Sequence, residues 1–215
     1  MSPDYTLYLV TDRDLSRGRS LDQVVREAVE GGVRCVQIRE KRCDTREFLH
    51  WARALLVLLR PLGIPLIVND RVDVALAAGA DGVHLGQQDM TLTDARRLGP
   101  SGWIIGVSAE SVGAATRAEK DGADYIGASP VFSTPTKTDI ASPLGLDGLR
   151  DLRVAVRVPL IGIGGIHAGN AREVIRAGAD GVAVVSALMA AESPREAARM
   201  LRQELDLALV ERRKK

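Results

Sequence analysis

Apolar residues in this chain gather into eight short runs, separated by longer stretches in which they recur every three or four positions. The short runs are YLVT near 7–11, CVQIR at 35–39, PLIVN at 65–69, GVHLG at 82–86, IIGVS at 104–108, YIGAS at 125–129, LIGIGG at 160–165 and VAVVS at 182–186. Their near-continuous apolar character predicts strands buried on both faces, the habit of a parallel sheet. Segments 20–30, 45–60, 71–78, 91–98, 110–121, 146–156, 169–177 and 194–210 carry helical spacing. One phrase recurs at strand entries: AAGADGVHLG at 77–86, KDGADYIGAS at 120–129 and RAGADGVAVV at 176–185, with a looser echo in EGGVRCVQI at 30–38. Each copy reads as a helix stopped by glycine, a short turn and a strand, half of a repeating βα unit. Eight alternations in 215 residues predict one (β/α)8 barrel domain over 1–215, in preference to an open doubly wound sheet.

Composition narrows the class without changing the fold. The 29 Lys and Arg nearly balance 28 Asp and Glu, so no net field favours nucleic acid or an anionic membrane, and aromatics at 3% are too few for base-stacking platforms. The longest apolar runs are far shorter than a membrane span, and nothing near the amino terminus resembles a leader, so a cytoplasmic enzyme or binding protein is expected. Cys35 and Cys43 lack metal-ligand spacing and read as ordinary thiols. Homo-oligomerisation is left open by the sequence.

In such a barrel the active face is built from the carboxyl ends of the strands and the loops that follow. Strand 2 alternates, with Cys35, Gln37 and Arg39 on one face and Val36 and Ile38 on the other; Glu40 and Lys41 follow at the mouth. Asn69 and Asp70 leave strand 3, Asp89 follows strand 4 and Ser108 ends strand 5, all at the same rim. Two carboxylates about 4 Å apart repel by about 4 kcal/mol at an effective dielectric near 20. With no cationic partner evident in the sequence, Asp70 and Asp89 suggest a shared cation, and an all-oxygen pair completed by water and phosphate suits Mg2+. The competing reading is helix capping, of the helix beginning at Arg71 by Asp70 and of the one near Thr91 by Asp89.

Two further segments suit anions. The stretch PVFSTPTKTDIASPLG, 130–145, is long for a βα loop and carries Ser133, Thr134, Thr136 and Thr138 around Lys137. Gly164 and Gly165 after strand 7, with Val185 and Ser186 ending strand 8, occupy the usual phosphate site of this fold. His84, inside strand 4, reads as a hydrogen-bonded interior residue; His50 and His167 show no visible partner. No Ser–His–Asp ordering, no cysteine beside a base and no dinucleotide fingerprint is apparent.

The motifs YLVTD, VQIREK, LIVNDRVDVALAAGADGVHLGQQD, IGVSA, YIGASPVFSTPTK, IGGI and GADGVAVVSA stand in the order seen in thiamine-phosphate synthases, from Tyr8 to Leu188. The chain resembles that family. The resemblance implies a (β/α)8 transferase that joins 4-amino-2-methyl-5-hydroxymethylpyrimidine diphosphate to 4-methyl-5-(2-hydroxyethyl)thiazole phosphate, releasing diphosphate with Mg2+. It implies pyrimidine diphosphate binding by Gln37, Ile38, Arg39, Glu40, Lys41, Asn69, Ser108 and Lys137, and metal binding by Asp70 and Asp89. Thiazole phosphate would be bound by Thr134, Pro135 and Thr136 with Gly165, Val185 and Ser186. Arg39, Lys41, Ser108 and Lys137 would assist the chemistry, in which the pyrimidine ionises before the thiazole nitrogen attacks. The sequence departs from common relatives at Glu110 and His167, both expected to lie beside the ligand positions. The alternative is the thiazole tautomerase branch of the same fold, an isomerase that needs neither the paired acids nor the full QIREK set; a non-catalytic phosphate sensor is the remaining class.

Overall fold

A computed structural model describes residues 3–134 and 142–214. Eight parallel strands close into a barrel in sequence order: β1 Leu7–Val10, β2 Cys35–Ile38, β3 Leu66–Asn69, β4 Gly82–Leu85, β5 Ile104–Ala109, β6 Tyr125–Ala128, β7 Leu160–Ile163 and β8 Gly181–Val184. Helices α1 Leu21–Glu30, α2 Thr45–Leu59, α3 Val72–Ala78, α4 Leu92–Leu98, α5 Val112–Lys120, α6 Gly145–Ala155 and α7 Ala171–Arg176 follow β1 to β7 in turn. The eightfold alternation is as the periodicity predicts. After β8 comes a short helix, α8 Ser186–Met189, which four residues are too few to announce, and then α9 Pro194–Arg213. Among the described residues no helix is long and apolar enough to cross a membrane.

The outward residues of the strands, such as Val36, Ile38, Val83 and Ile105, pack with the apolar stripes of the helices in one continuous core. In α1 that stripe is Leu21, Val24, Val25, Ala28 and Val29. The inward set includes Tyr5, Tyr8, Val10, Cys35, Ile67, Tyr125, Ile161 and Ala183, and it holds all 3 tyrosines of the chain. Room for the Tyr125 ring comes from Gly106 on β5, where a Cβ would lie 2.0 Å from the ring's Cζ.

The recurring GAD phrase has one structural job. Gly79, Gly122 and Gly178 all take positive φ, at 72°, 93° and 113°, and turn the chain from helix into strand. The aspartate then reaches to the start of the preceding strand: Asp81 Oδ2 accepts from the Leu66 N–H at 2.9 Å, Asp124 Oδ2 from Ile105, the second residue of β5, at 2.7 Å and Asp180 Oδ2 from Leu160 at 3.0 Å. In return each aspartate N–H donates to the carbonyl of that same residue. Arginines close the arrangement, Arg96 on Asp124 and both Arg153 and Arg212 on Asp180. The looser copy has Arg34 in place of the acid and keeps only the backbone half, Arg34 N–H to the Leu7 carbonyl, while Asp4 accepts from Thr6 beside it. The repeat therefore secures the base of the barrel, away from the mouth, by satisfying strand N–H groups that would otherwise be buried unpaired.

Asp124→Ala would leave the Ile105 N–H without its acceptor and is expected to lower stability by about 1–3 kcal/mol, with turnover per folded molecule unchanged. Urea unfolding measures this; an unshifted midpoint would show that the tie contributes nothing.

Candidate active site

The carboxyl ends of the strands surround a cavity of about 480 Å³. β2 delivers its alternating set there: Gln37, Arg39 and Lys41 line the cavity. Ile38 and Glu40 do not. They share the outward face with Val36, so Ile38 is wholly buried in the outer core and Glu40 turns to Arg13, whose Nε donates to Oε2 at 3.0 Å while its guanidinium lies 3.3 Å over the Trp51 ring. Of the expected QIREK set, Ile38 and Glu40 therefore turn their side chains away from the cavity. Burial pushes the Glu40 carboxyl up, with Arg13 opposing.

Asp70 has φ 62°, one of two non-glycine residues with positive φ among those described. Its N–H donates to the His84 carbonyl at 2.8 Å, extending the β3–β4 ladder by one step, and the Arg71 N–H then bonds back to the Asn69 carbonyl at 2.7 Å. The left-handed residue so formed keeps the carboxylate at the mouth rather than sending it forward over α3. Neither acid caps a helix: no side chain caps α3, and Thr91 caps α4 by accepting from the Asp94 N–H. Asp89 instead accepts from the Gly86 N–H at 2.6 Å.

The expectation that neither acid has a cationic partner is overturned. Lys41 Nζ lies 2.5 Å from Asp70 Oδ2, because β2 and β3 are neighbours and residue 41 falls on the inward face. Burial pushes Asp70 up, but the Lys41 ammonium and a hydrogen bond shared with Asp89 outweigh it and hold Asp70 below the usual carboxylate range. Asp89 is pushed up by burial and then by the Asp70 carboxylate. The pair behaves as two acids sharing one site. Among the described residues no group of three His, Cys, Asp or Glu could close around a metal. Two carboxylates with room for water and phosphate oxygens match the donor set that Mg2+ takes.

Arg39 is held from the loop after β1, its NH1 lying 3.7 Å from Asp12 Oδ2. Asn69, Ser108 and Thr134 also line the cavity, as do Gly165, Val185 and Ser186 on the far side. Gly164 and Gly165 have φ 106° and 64°, and a Cβ on Gly165 would lie 2.6 Å from the Ser133 carbonyl oxygen. The segment before Thr134 thus rides on the glycine pair, with Val131 and Phe132 N–H groups bonded to the Ile163 and Gly164 carbonyls. Ser186 opens α8, the short extra helix that completes phosphate sites in this fold. Pro135, Thr136 and Lys137 lie outside the described residues.

Several lining residues escaped the sequence. Glu110, expected beside the ligand positions, is on the cavity wall, whereas His167 forms a turn, its N–H donating to Asn170 Oδ1. The floor is a chain of polar contacts: Gln37 Nε2 to Tyr8 Oη at 3.0 Å, Tyr8 Oη to Tyr125 Oη at 2.9 Å, Tyr125 Oη to His84 Nδ1 at 2.9 Å, and His84 Nε2 to Ser108 Oγ at 2.9 Å. A serine and a histidine are therefore in contact, although no sequence ordering announced it. Inward alternation of Tyr8, His84, Ser108 and Tyr125 was the available signal.

The family model described as thiamine monophosphate synthase matches residues 7–188. A thiamine-phosphate synthase of Albidiferax ferrireducens is 60% identical over 200 residues, covering 93% of this chain and 91% of the relative. Another, of Chloroflexus aurantiacus, is 54% identical over 199 residues, covering 93% and 92%. The solved thiamine phosphate pyrophosphorylase from Pyrococcus furiosus superimposes with a TM-score of 0.89 at 44% identity, covering 96% of this chain and 98% of that one. With the barrel, the mouth and these similarities in agreement, the chain belongs to the thiamine monophosphate synthase family.

Proposed function

We propose that this transferase joins the pyrimidine diphosphate to the thiazole phosphate inside the 480 Å³ cavity, with the diphosphate on the β2–β4 side and the thiazole phosphate on the β7–β8 side. The supporting observation is that one mouth brings together two unlike sets of groups suited to anions. Arg39 and Lys41 stand with the acid pair on one wall, and the Gly164–Gly165 turn stands with Ser186 on the other. Arg39 and Lys41 are charge donors suited to the diphosphate oxygens, and Lys137, outside the described residues, would add a third cation. Backbone N–H groups at Gly165 and Ser186, with Thr134 and Thr136, suit a phosphate monoester. Asp70 and Asp89 would hold Mg2+, which when bound would neutralise charge on the departing diphosphate.

Lys41 is then shared between Asp70 and substrate: an arriving phosphate gives its ammonium a second anion to serve. Gln37, Asn69 and Ser108 orient the pyrimidine between the two subsites. Bond breaking leaves a pyrimidine-methyl cation that the thiazole nitrogen attacks; both bonding electrons leave with the diphosphate, and no protein nucleophile is required. The isomerase alternative gives no task to the acid pair with Lys41.

Asp70→Asn and Asp89→Asn are expected to lower kcat/KM by about 10²-fold or more while circular dichroism stays unchanged, since Asn tolerates the left-handed backbone at 70. Near-normal rates for both in chelator-treated buffer would refute the metal assignment. Lys137→Ala should lower kcat more than it raises KM, because charge on the leaving group develops in the transition state; an effect on KM alone would mark uniform binding. Replacing the pyrimidine methyl by trifluoromethyl should slow single-turnover diphosphate release by orders of magnitude without comparably weakening binding. Equal rates, with chemistry limiting, would exclude ionisation.

A further inference from the structure

The mechanism above leaves a serine and an imidazole in contact without a nucleophilic role, and the hydrogen bonds behind them explain why. To activate a hydroxyl, an imidazole must face it with a bare nitrogen, and an acceptor on the other nitrogen keeps the proton there. Here the other nitrogen, His84 Nδ1, faces a phenol, Tyr125, at 2.9 Å. The protons can be followed from β2. Gln37 Nε2 donates to the Tyr8 oxygen at 3.0 Å. The Tyr8 proton then has two neighbours, the Tyr125 oxygen at 2.9 Å and the Cys35 thiol, and sulfur is the weaker acceptor. Tyr8 therefore donates to Tyr125, whose own proton is turned to Nδ1. Burial holds both phenols protonated, far above the usual range, so both remain donors. The Tyr5 hydroxyl does not divert the chain: its ring lies 4.8 Å from that of Tyr125, but the hydroxyl has no hydrogen-bond partner among the described residues.

We propose that Tyr8 and Tyr125 form a one-way hydrogen-bond chain that holds His84 as its Nε2–H tautomer, so that His84 donates to Ser108 and the Ser108 hydroxyl donates to the substrate. Tyr8, Tyr125 and His84 are positioning residues in this scheme. His84 in that tautomer has no lone pair at Nε2 with which to take the Ser108 proton, which disarms the pair as nucleophile and base. Ser108 becomes a fixed donor selecting a hydrogen-bond acceptor on the ligand, which, resting on the synthase reading, is a ring nitrogen or exocyclic acceptor of the pyrimidine.

Nitrogen-15 NMR of the full chain labelled at histidine tests the tautomer without substrate, so its failure is distinct from failure of the synthase reading. The chain has 3 histidines, and His50→Gln and His167→Gln variants identify the other two signals. At alkaline pH, where imidazole is neutral, His84 is expected to carry its proton on Nε2; a proton on Nδ1 would overturn the proposal. Tyr125→Phe keeps the ring that Gly106 accommodates and should release the tautomer to a mixture or to Nδ1–H. The wild-type measurement stands if that variant does not fold. In kinetics, Tyr125→Phe should raise the KM for the pyrimidine diphosphate about tenfold in the parent and have little effect in a Ser108→Ala background, because its influence passes through that hydroxyl. Equal fold-changes in both backgrounds would also overturn it.

Discussion

The inner wall of the barrel sets the terms for everything above it. Eight short strands leave an interior that side chains must fill, and barrels of this kind usually fill it with branched hydrocarbon. Here the inward positions include two hydrogen-bonded phenols, an amide, an imidazole and a hydroxyl. Each would be costly if left unsatisfied at that depth, and together they satisfy one another across β2, β1, β6, β4 and β5. Glycines on the same wall make the chain continuous: Gly106 clears the Tyr125 ring, and a Cβ on Gly127 would lie 3.2 Å from His84 Cε1. The floor of the cavity is thus joined from β2 to β5 by hydrogen bonds as well as by packing.

The mouth follows a different logic, in which charge and backbone strain replace packing. Asp70 accepts an uncommon backbone conformation that keeps its carboxylate at the rim, where Lys41 and Asp89 meet it. Strain of this kind persists where surrounding bonds over-determine it. The N–H bonds of Asp70 and Arg71 do so here. Opposite, glycines and a one-turn helix present backbone rather than side chains.

The strands and helices were legible because each strand is buried on both faces and each helix on one, so periodicity carried the architecture. The period of two also put Gln37 and Arg39 on the inward face, and carried two residues further it would have turned Glu40 outward and Lys41 into the cavity. What the sequence could not show were contacts between neighbouring strands: Lys41 with Asp70 is a separation of 29 residues, and His84 with Ser108 one of 24. Such pairs depend on the stagger of the closed sheet, which no local pattern reports. The α8 helix was hidden by its length, and the GAD phrase was visible as a repeat while its partner, a residue at the start of the preceding strand, was not.

Those partners divide the barrel in an unexpected way. Asp81 ties β4 to β3, Asp124 ties β6 to β5 and Asp180 ties β8 to β7, while the Arg34–Leu7 contact does the backbone half of the same for β2 and β1. The intervening seams, β2–β3, β4–β5, β6–β7 and β8–β1, lack this aspartate clasp. The ring of eight is in this sense a ring of four two-stranded staves. A chain divided between α2 and β3 would leave every clasp and its arginines whole within one fragment, whereas a chain divided between β3 and β4 would part Asp81 from Leu66. Where the molecule tolerates being split and reassembled is thereby decided at its base, far from its chemistry.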